Sequence, residues 1–292
     1  MGLLVFLCVL WGVGQVAAKI GVSGIPPLLQ AGVRSAAAAL LLAAWCAARG
    51  IPLFQRDGTL AHGIVIAILF AGEFVFIFSG LLLTTASRAT LFVYTAPFVV
   101  ALGAHWLLPG ERLHAVKVAG LACAFAGLGL AFADGLALPT RSTLLGDALE
   151  VLGAVFWGAT TLAVKAYRRP ISPEKTLFYQ LALSSVVLLG LSVVLGEPDH
   201  VALTPLVVTA LAYQVVIIAF ASYLAWFWIL SRYAASDMTA FTFWTPIFGV
   251  LASWVLLGEH VSRALAGAIV LVALGIYLVN RPAAARVSPR RG

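Results

Sequence analysis

Ten apolar stretches follow one another along the chain, at roughly 3–20, 28–48, 63–83, 89–108, 114–133, 146–167, 176–195, 205–230, 238–257 and 264–279. Each is close to the about 20 residues with which an α-helix crosses the roughly 30 Å hydrocarbon core of a bilayer. Short loops holding Gly, Pro and charged residues separate them. Of the 292 residues, 62% are hydrophobic and only 10% charged, and mean hydropathy is +1.05. Soluble domains carry about 25% charged residues, so this chain cannot build a soluble surface. Segments of ten residues with alternating polarity, the mark of a membrane β-barrel, are absent. The expected fold class is therefore an all-α integral membrane protein with ten transmembrane helices. Nothing is left over for a soluble domain. The first stretch lacks a basic leader and a cleavage site, and reads as a true helix.

The net charge of +7 sits in the loops, where Lys and Arg set orientation. With the N-terminus in the cytoplasm, Arg49, Arg56, Arg112, Lys117, Arg168, Arg169, Lys175, Arg232, Arg281, Arg286, Arg290 and Arg291 fall inside. Lys19, Arg88, Arg141 and Arg263 fall outside. The asymmetry predicts a multi-pass protein of the cell's inner membrane with both termini cytoplasmic. It makes the basic segment 280–292 a topology signal in contact with membrane lipid rather than a nucleic-acid site.

The halves match each other. Trp11-Gly12 followed by Lys19 returns as Trp157-Gly158 followed by Lys165. Ala86-Ser87, Thr90, Phe92 and Pro97 return as Ala235-Ser236, Thr239, Phe241 and Pro246, and Gly110-Glu111 returns as Gly258-Glu259. Arg34 aligns with Gln180. The offsets drift only between 146 and 149, which predicts a duplicated five-helix unit, 1–133 and 146–279. Five is odd, so the second unit enters the membrane from the opposite side, the inverted-topology arrangement of many secondary transporters.

Ten helices as five plus five, the Trp-Gly in the first helix of each half, the proline in the fourth and the Gly-Glu after it together resemble the drug/metabolite transporter superfamily, in its EamA-type branch. Within that branch the chain looks most like bacterial exporters of amino acids, aromatic ones included. The resemblance implies helices 1, 3, 4, 6, 8 and 9 around a central cavity, with helices 5 and 10 at the periphery.

Trp11, Gln15 and Lys19 share one helical face, as do Trp157, Thr161 and Lys165. Polar groups in membrane helices avoid lipid, so these faces are expected to line a cavity, with both lysines reaching the interfaces. Glu73 is the only charge at the midpoint of a stretch. It is a candidate ligand for a substrate amine or a proton-carrying group, with a structural acid hydrogen-bonded to neighbouring helices as the alternative. Arg34 reads as a structural ion-pair partner, with carboxylate binding as the alternative. Asp147 and Glu150 are expected to serve the N-terminus of the sixth helix. Thr90 and Tyr94 in the fourth stretch, Thr239 and Phe243 in the ninth, and Tyr223 in the eighth complete the candidate substrate-binding set. Pro97 and Pro246 each remove a backbone donor and bend their helix, and are candidate hinges.

No GxxxxGK[ST] motif is present, which argues against ATP hydrolysis. No Cys or His cluster suggests a metal, and no cofactor is called for. The dispersed acids assemble no nucleophile and base for an intramembrane enzyme, and an inverted repeat fits alternating access better than a channel filter. A secondary transporter for a small-molecule substrate follows, with protons as a candidate coupling ion and the oligomeric state open. An amino acid with an apolar side chain suits a pocket of Trp, Tyr and Phe. The alternative is export of drugs or other amphipathic metabolites.

Overall fold

The computed structural model describes residues 2–84, 86–133, 136, 138–258 and 264–281. Arg263, Glu259 and the basic residues Arg286, Arg290 and Arg291 lie outside the described residues, as do the side chains of Ser87 and Ser253. The first half comprises α1 (Gly2–Val22), α2 (Pro27–Ala48), α3 (Leu60–Leu81), α4 (Ala86–Val93), α5 (Ala96–Leu107) and α6 (Ala115–Ala131). The second comprises α7 (Arg141–Ala166), α8 (Pro173–Val194), α9 (Pro205–Tyr213), α10 (Tyr223–Leu230), α11 (Ala235–Ala240), α12 (Trp244–Leu257) and α13 (Leu265–Val279).

Among the described residues, eight helical segments are long and apolar enough to span a bilayer, and α6 and α13 are shorter apolar helices of 17 and 15 residues. At 1.5 Å per residue these two extend for about 25 and 22 Å, somewhat less than the hydrocarbon core. Three of the ten spans are interrupted. The fourth consists of α4 and α5, broken at Tyr94 and Thr95 just before Pro97. The ninth runs through α11, a 3₁₀ turn over Phe241–Phe243 and α12, which holds Pro246 in its first turn. Each proline thus lies at a break, because its ring excludes the carbonyl of the preceding turn. The eighth span joins α9 to α10 through a π-helical segment, Gln214–Ser222, a wider geometry that sequence periodicity does not announce.

Helix ends are set by ordinary local chemistry. Pro27, Pro173 and Pro205 begin α2, α8 and α9, where a missing N–H costs nothing. The side chains of Thr140, Ser172 and Thr204 accept from Thr143 N, Lys175 N and Val207 N, each at 3.2 Å, as N-caps do. Gly50 (φ 66°) and Gly196 (φ 71°) follow the second and seventh spans, and Gly110 (φ 88°) and Gly258 (φ 67°) follow the fourth and ninth. These are left-handed positions that favour glycine. They recur at the same offsets as the sequence matches.

The packing respects the exchange of halves. The second span packs on the seventh (α2 with α8), and the fifth on the tenth (α6 with α13). The first packs on the ninth (α1 with α12) as the sixth packs on the fourth (α7 with α5). The third packs on the sixth (α3 with α7), and the eighth on the first. Between α6 and α13 the backbones nearly touch: a Cβ on Gly120 would lie 2.7 Å from Gly275 O, and one on Gly275 would lie 2.5 Å from Gly120 O. Without a hydrophobic drive between helices in lipid, such small-residue contacts are what holds them together.

Two polar clusters tie span ends together. The Glu111 carboxylate, after the fourth span, accepts from Ala235 N (2.8 Å), Ser236 N (2.9 Å) and Ser236 Oγ (2.7 Å) at the start of the ninth. Lys117 Nζ joins Ser236 Oγ at 2.8 Å and Asp237 Oδ1 at 2.6 Å. This accords with a structural reading of Gly110-Glu111; Glu259 lies outside the described residues. In the other cluster Arg88, in α4, pairs with Asp147, in α7, with Nε 3.1 Å from each carboxylate oxygen, and Thr84 Oγ1 donates to Asp147 Oδ1 at 2.7 Å. The sequence assigned Asp147 and Glu150 to a helix N-terminus. Because α7 begins at Arg141, both lie further along it. Asp147 is an ion-pair partner, and Glu150 is fully buried with no hydrogen bond to either carboxylate oxygen.

Candidate functional site

A central cavity of about 350 Å³ lies between the two halves. The glycines of the two Trp-Gly pairs explain how its walls approach. A Cβ on Gly12 would lie 2.7 Å from Gly249 N, and one on Gly158 would lie 2.6 Å from Val99 Cγ1. Each glycine therefore lets its helix cross the proline-containing span of the other half at close range, and the neighbouring tryptophan is left facing the cavity. Trp11 and Trp157 both line it.

The two tryptophans are held differently. Trp11 Nε1 donates to Ser222 Oγ at 2.8 Å, and Ser222 Oγ donates to Ile218 O at 2.6 Å within the π-helical segment. The Trp11 ring meets Trp226 edge-on, with centroids 5.5 Å apart. Trp157 meets the Tyr94 ring edge-on at 5.7 Å, and Gln15 Nε2 donates to Tyr94 OH at 3.4 Å. Such edge contacts favour a fixed ring geometry. Another part of the wall is a carboxamide pair: Gln30 Nε2 donates to Gln214 Oε1 at 2.9 Å. Gly21 permits it, since a Cβ there would lie 2.5 Å from Gln30 Oε1.

Of the sequence candidates, Trp11, Gln15, Glu73, Tyr94, Trp157, Thr161 and Tyr223 are brought together in the lining. Thr90, Thr239 and Phe243 are not in it. Thr239 Oγ1 turns back to Ala235 O at 2.8 Å, and Phe243 is fully buried beside Phe98, with ring centroids 6.4 Å apart. Pro97 and Pro246 are buried outside the lining. The wall also differs from the expected helix set. The second and seventh spans contribute Gln30, Arg34 and Gln180, and the ninth contributes Thr245 alone. No residue of α6 or α13 lines the cavity.

Two basic groups have particular surroundings. Arg34 makes no ion pair among the described residues: it is 7% exposed, its Nε and Nη2 have no hydrogen-bond partner, and its guanidinium lies 4.7 Å from the Phe74 ring centroid. Lys165 lies in the last turn of α7. Its Nζ donates to Leu230 O (2.7 Å) and Tyr233 O (2.6 Å) at the end of the eighth span, where carbonyls lack helical partners and a cation is favourable. Leu230 itself lines the cavity, so this contact ties the sixth span to one edge of the wall.

Apolar aromatic walls with a few convergent polar groups are the chemistry of a small-molecule site. Comparison with known proteins agrees. The chain is 27% identical to a protein of Salmonella typhimurium named a probable amino-acid metabolite efflux pump, over 94% of this chain and 93% of that one. The Escherichia coli protein of the same name is 25% identical over the same shares. The uncharacterized transporter YoaV of Bacillus subtilis is 23% identical over 94% of each chain. A solved crystal structure with 23% identity superposes with a TM-score of 0.82 over 95% of each chain, a likeness of fold. The EamA-like transporter family model matches residues 1–133 and 144–281, nearly the whole length, and the chain belongs to that family of multi-pass membrane transporters.

Proposed function

We propose that this transporter exports amino acids, aromatic and other hydrophobic ones among them, across the bacterial inner membrane by alternating access through the central cavity. The observation that carries the reading is the cavity itself: one chamber between two matched halves, walled by Trp11, Tyr94, Trp157 and Tyr223 and carrying Gln15, Thr161 and Glu73. Two related bundles can exchange two nearly equivalent arrangements, one open to each side. The names of the Salmonella and Escherichia relatives support an amino-acid metabolite as cargo. Pro97 and Pro246, at breaks in both halves, are the hinges in this scheme. A gradient of substrate or protons drives transport, and both termini face the cytoplasm.

Counterflow in liposomes tests the reading. Purified protein with unlabelled phenylalanine on the opposite side should accelerate entry of labelled phenylalanine. Entry at one rate with and without that trans substrate is the behaviour of a channel, and no movement of any amino acid removes the proposal. Trp11→Ala and Trp157→Ala should each weaken phenylalanine binding by about tenfold, the scale of one lost aromatic contact in a desolvated pocket. Cysteines at positions 56 and 290 should label from the same side.

A further inference from the structure

We infer that Arg34 and Glu73 are the two arms of a zwitterion clamp, Arg34 taking the carboxylate of an α-amino acid and Glu73 its ammonium group. The inference rests on the amino-acid reading above and assigns its recognition chemistry.

Both side chains line the same cavity, Arg34 from α2 and Glu73 from α3. They form no ion pair with one another, and neither makes a side-chain hydrogen bond or ion pair elsewhere among the described residues. The guanidinium rests against Phe74, a contact that leaves its Nε and Nη2 donors unused. Gln180, at the position that repeats Arg34 in the second half, also lines the cavity with its Oε1 lacking a donor.

A cation and an acid that face an apolar, aromatic chamber without partners are costly. Direct pairing would relieve the cost, yet the two side chains make no ion pair among the described residues. A ligand relieves it if it carries both charges on a compact frame. In an α-amino acid, carboxylate and ammonium share one carbon, so the molecule fits between two groups that do not meet. The guanidinium fork suits a carboxylate, and the acid accepts from an ammonium. The side chain is then left to the aromatic walls. Selectivity follows from the same arithmetic. A carboxylic acid without an amine leaves Glu73 unmatched, and an amine without a carboxylate leaves Arg34 unmatched. Each mismatch strands a charged group that faces the chamber.

The test is competition against labelled phenylalanine in proteoliposomes by unlabelled phenylalanine, phenylalaninamide and 3-phenylpropionate. On the wild type both analogues should compete at least about tenfold more weakly than phenylalanine, the scale of a lost hydrogen bond to a charged group. Arg34→Gln should abolish the discrimination against phenylalaninamide alone. Glu73→Gln should abolish that against 3-phenylpropionate alone. Analogues that match phenylalanine on the wild type overturn the clamp, as does loss of discrimination that does not follow this crosswise pattern. The wild-type comparison needs no variant to fold, and Arg34→Lys supplies a milder one that should keep part of the discrimination. Amino acids that move while the analogue ratios are flat overturn the clamp and leave the export function standing. A wild type that moves no amino acid overturns both.

Discussion

Ser236 offers Glu111 two donors, its backbone N–H at 2.9 Å and its hydroxyl at 2.7 Å. One carboxylate thus caps the first turn of the ninth span from the far end of the fourth. Lys117 closes the cluster through the same hydroxyl. Glu111→Ala leaves these buried donors without an acceptor, and should lower stability by about 1–3 kcal/mol. Thermal unfolding in detergent checks this. A melting temperature unchanged from wild type would mean that water replaces the carboxylate.

Asp57 lies in the loop between α2 and α3. Lys175 Nζ donates to it at 2.7 Å and Thr59 Oγ1 at 2.6 Å, and these contacts hold its carboxyl below the usual carboxylate range. A depressed acid contributes stability above its unfolded pKa, about 3.9, and loses it as pH falls through the folded value. The stability gap between wild type and Asp57→Asn should therefore be constant from pH 7 to 5 and close only below about pH 4. A gap that closes near neutrality would assign the effect to another group.

The seam between α6 and α13 should tolerate no side chain at its crossing point. A Cβ on Gly120 meets Gly275 O and Val279 N, both at 2.7 Å. Gly120→Ala must push two backbones apart, at a cost of about 1–3 kcal/mol. Gly129 is on the same helix, and a methyl group added there would have nothing within 4 Å, so Gly129→Ala should be neutral or slightly stabilising. Equal melting temperatures for the two variants would refute the packing argument.

Pro97 and Pro246 lie at breaks in corresponding spans. Replacing either with alanine restores a backbone donor and lets the helix straighten. If the breaks are hinges, transport should slow by about tenfold while phenylalanine binding changes less than threefold, because hinge residues lie away from the ligand. Wild-type transport rates in both variants would leave them as static kinks.

Much of the architecture was legible because lipid imposes length and hydropathy on every span. The Trp-Gly pairs marked two faces that do reach one cavity. What stayed hidden has particular causes. Thr90 keeps its i, i+4 relation to Tyr94, whose N–H donates to Thr90 O at 3.3 Å, yet only Tyr94 reaches the wall. In the ninth span a 3₁₀ turn over Phe241–Phe243 interrupts the helix, and Thr245 rather than Phe243 lies at the wall. Periodicity shows which side of a helix is polar, not which helix moves inward, so Gln30 and Gln180 were missed. The polar run Gln30, Arg34 and Ser35 on one helix was the available signal. The π-helical segment carrying Gln214 and Ser222 has no distinct sequence pattern.

The glycine seam has a consequence for assembly. Its two helices are the fifth of each half, so each meets its own counterpart. That is the self-complementary contact by which separate identical subunits form a two-fold dimer. Here it joins two parts of one polypeptide, which are always present in equal number and at fixed distance. The chamber is lined by residues of both halves of this chain. Dilution in the membrane therefore cannot separate the two halves that line the chamber.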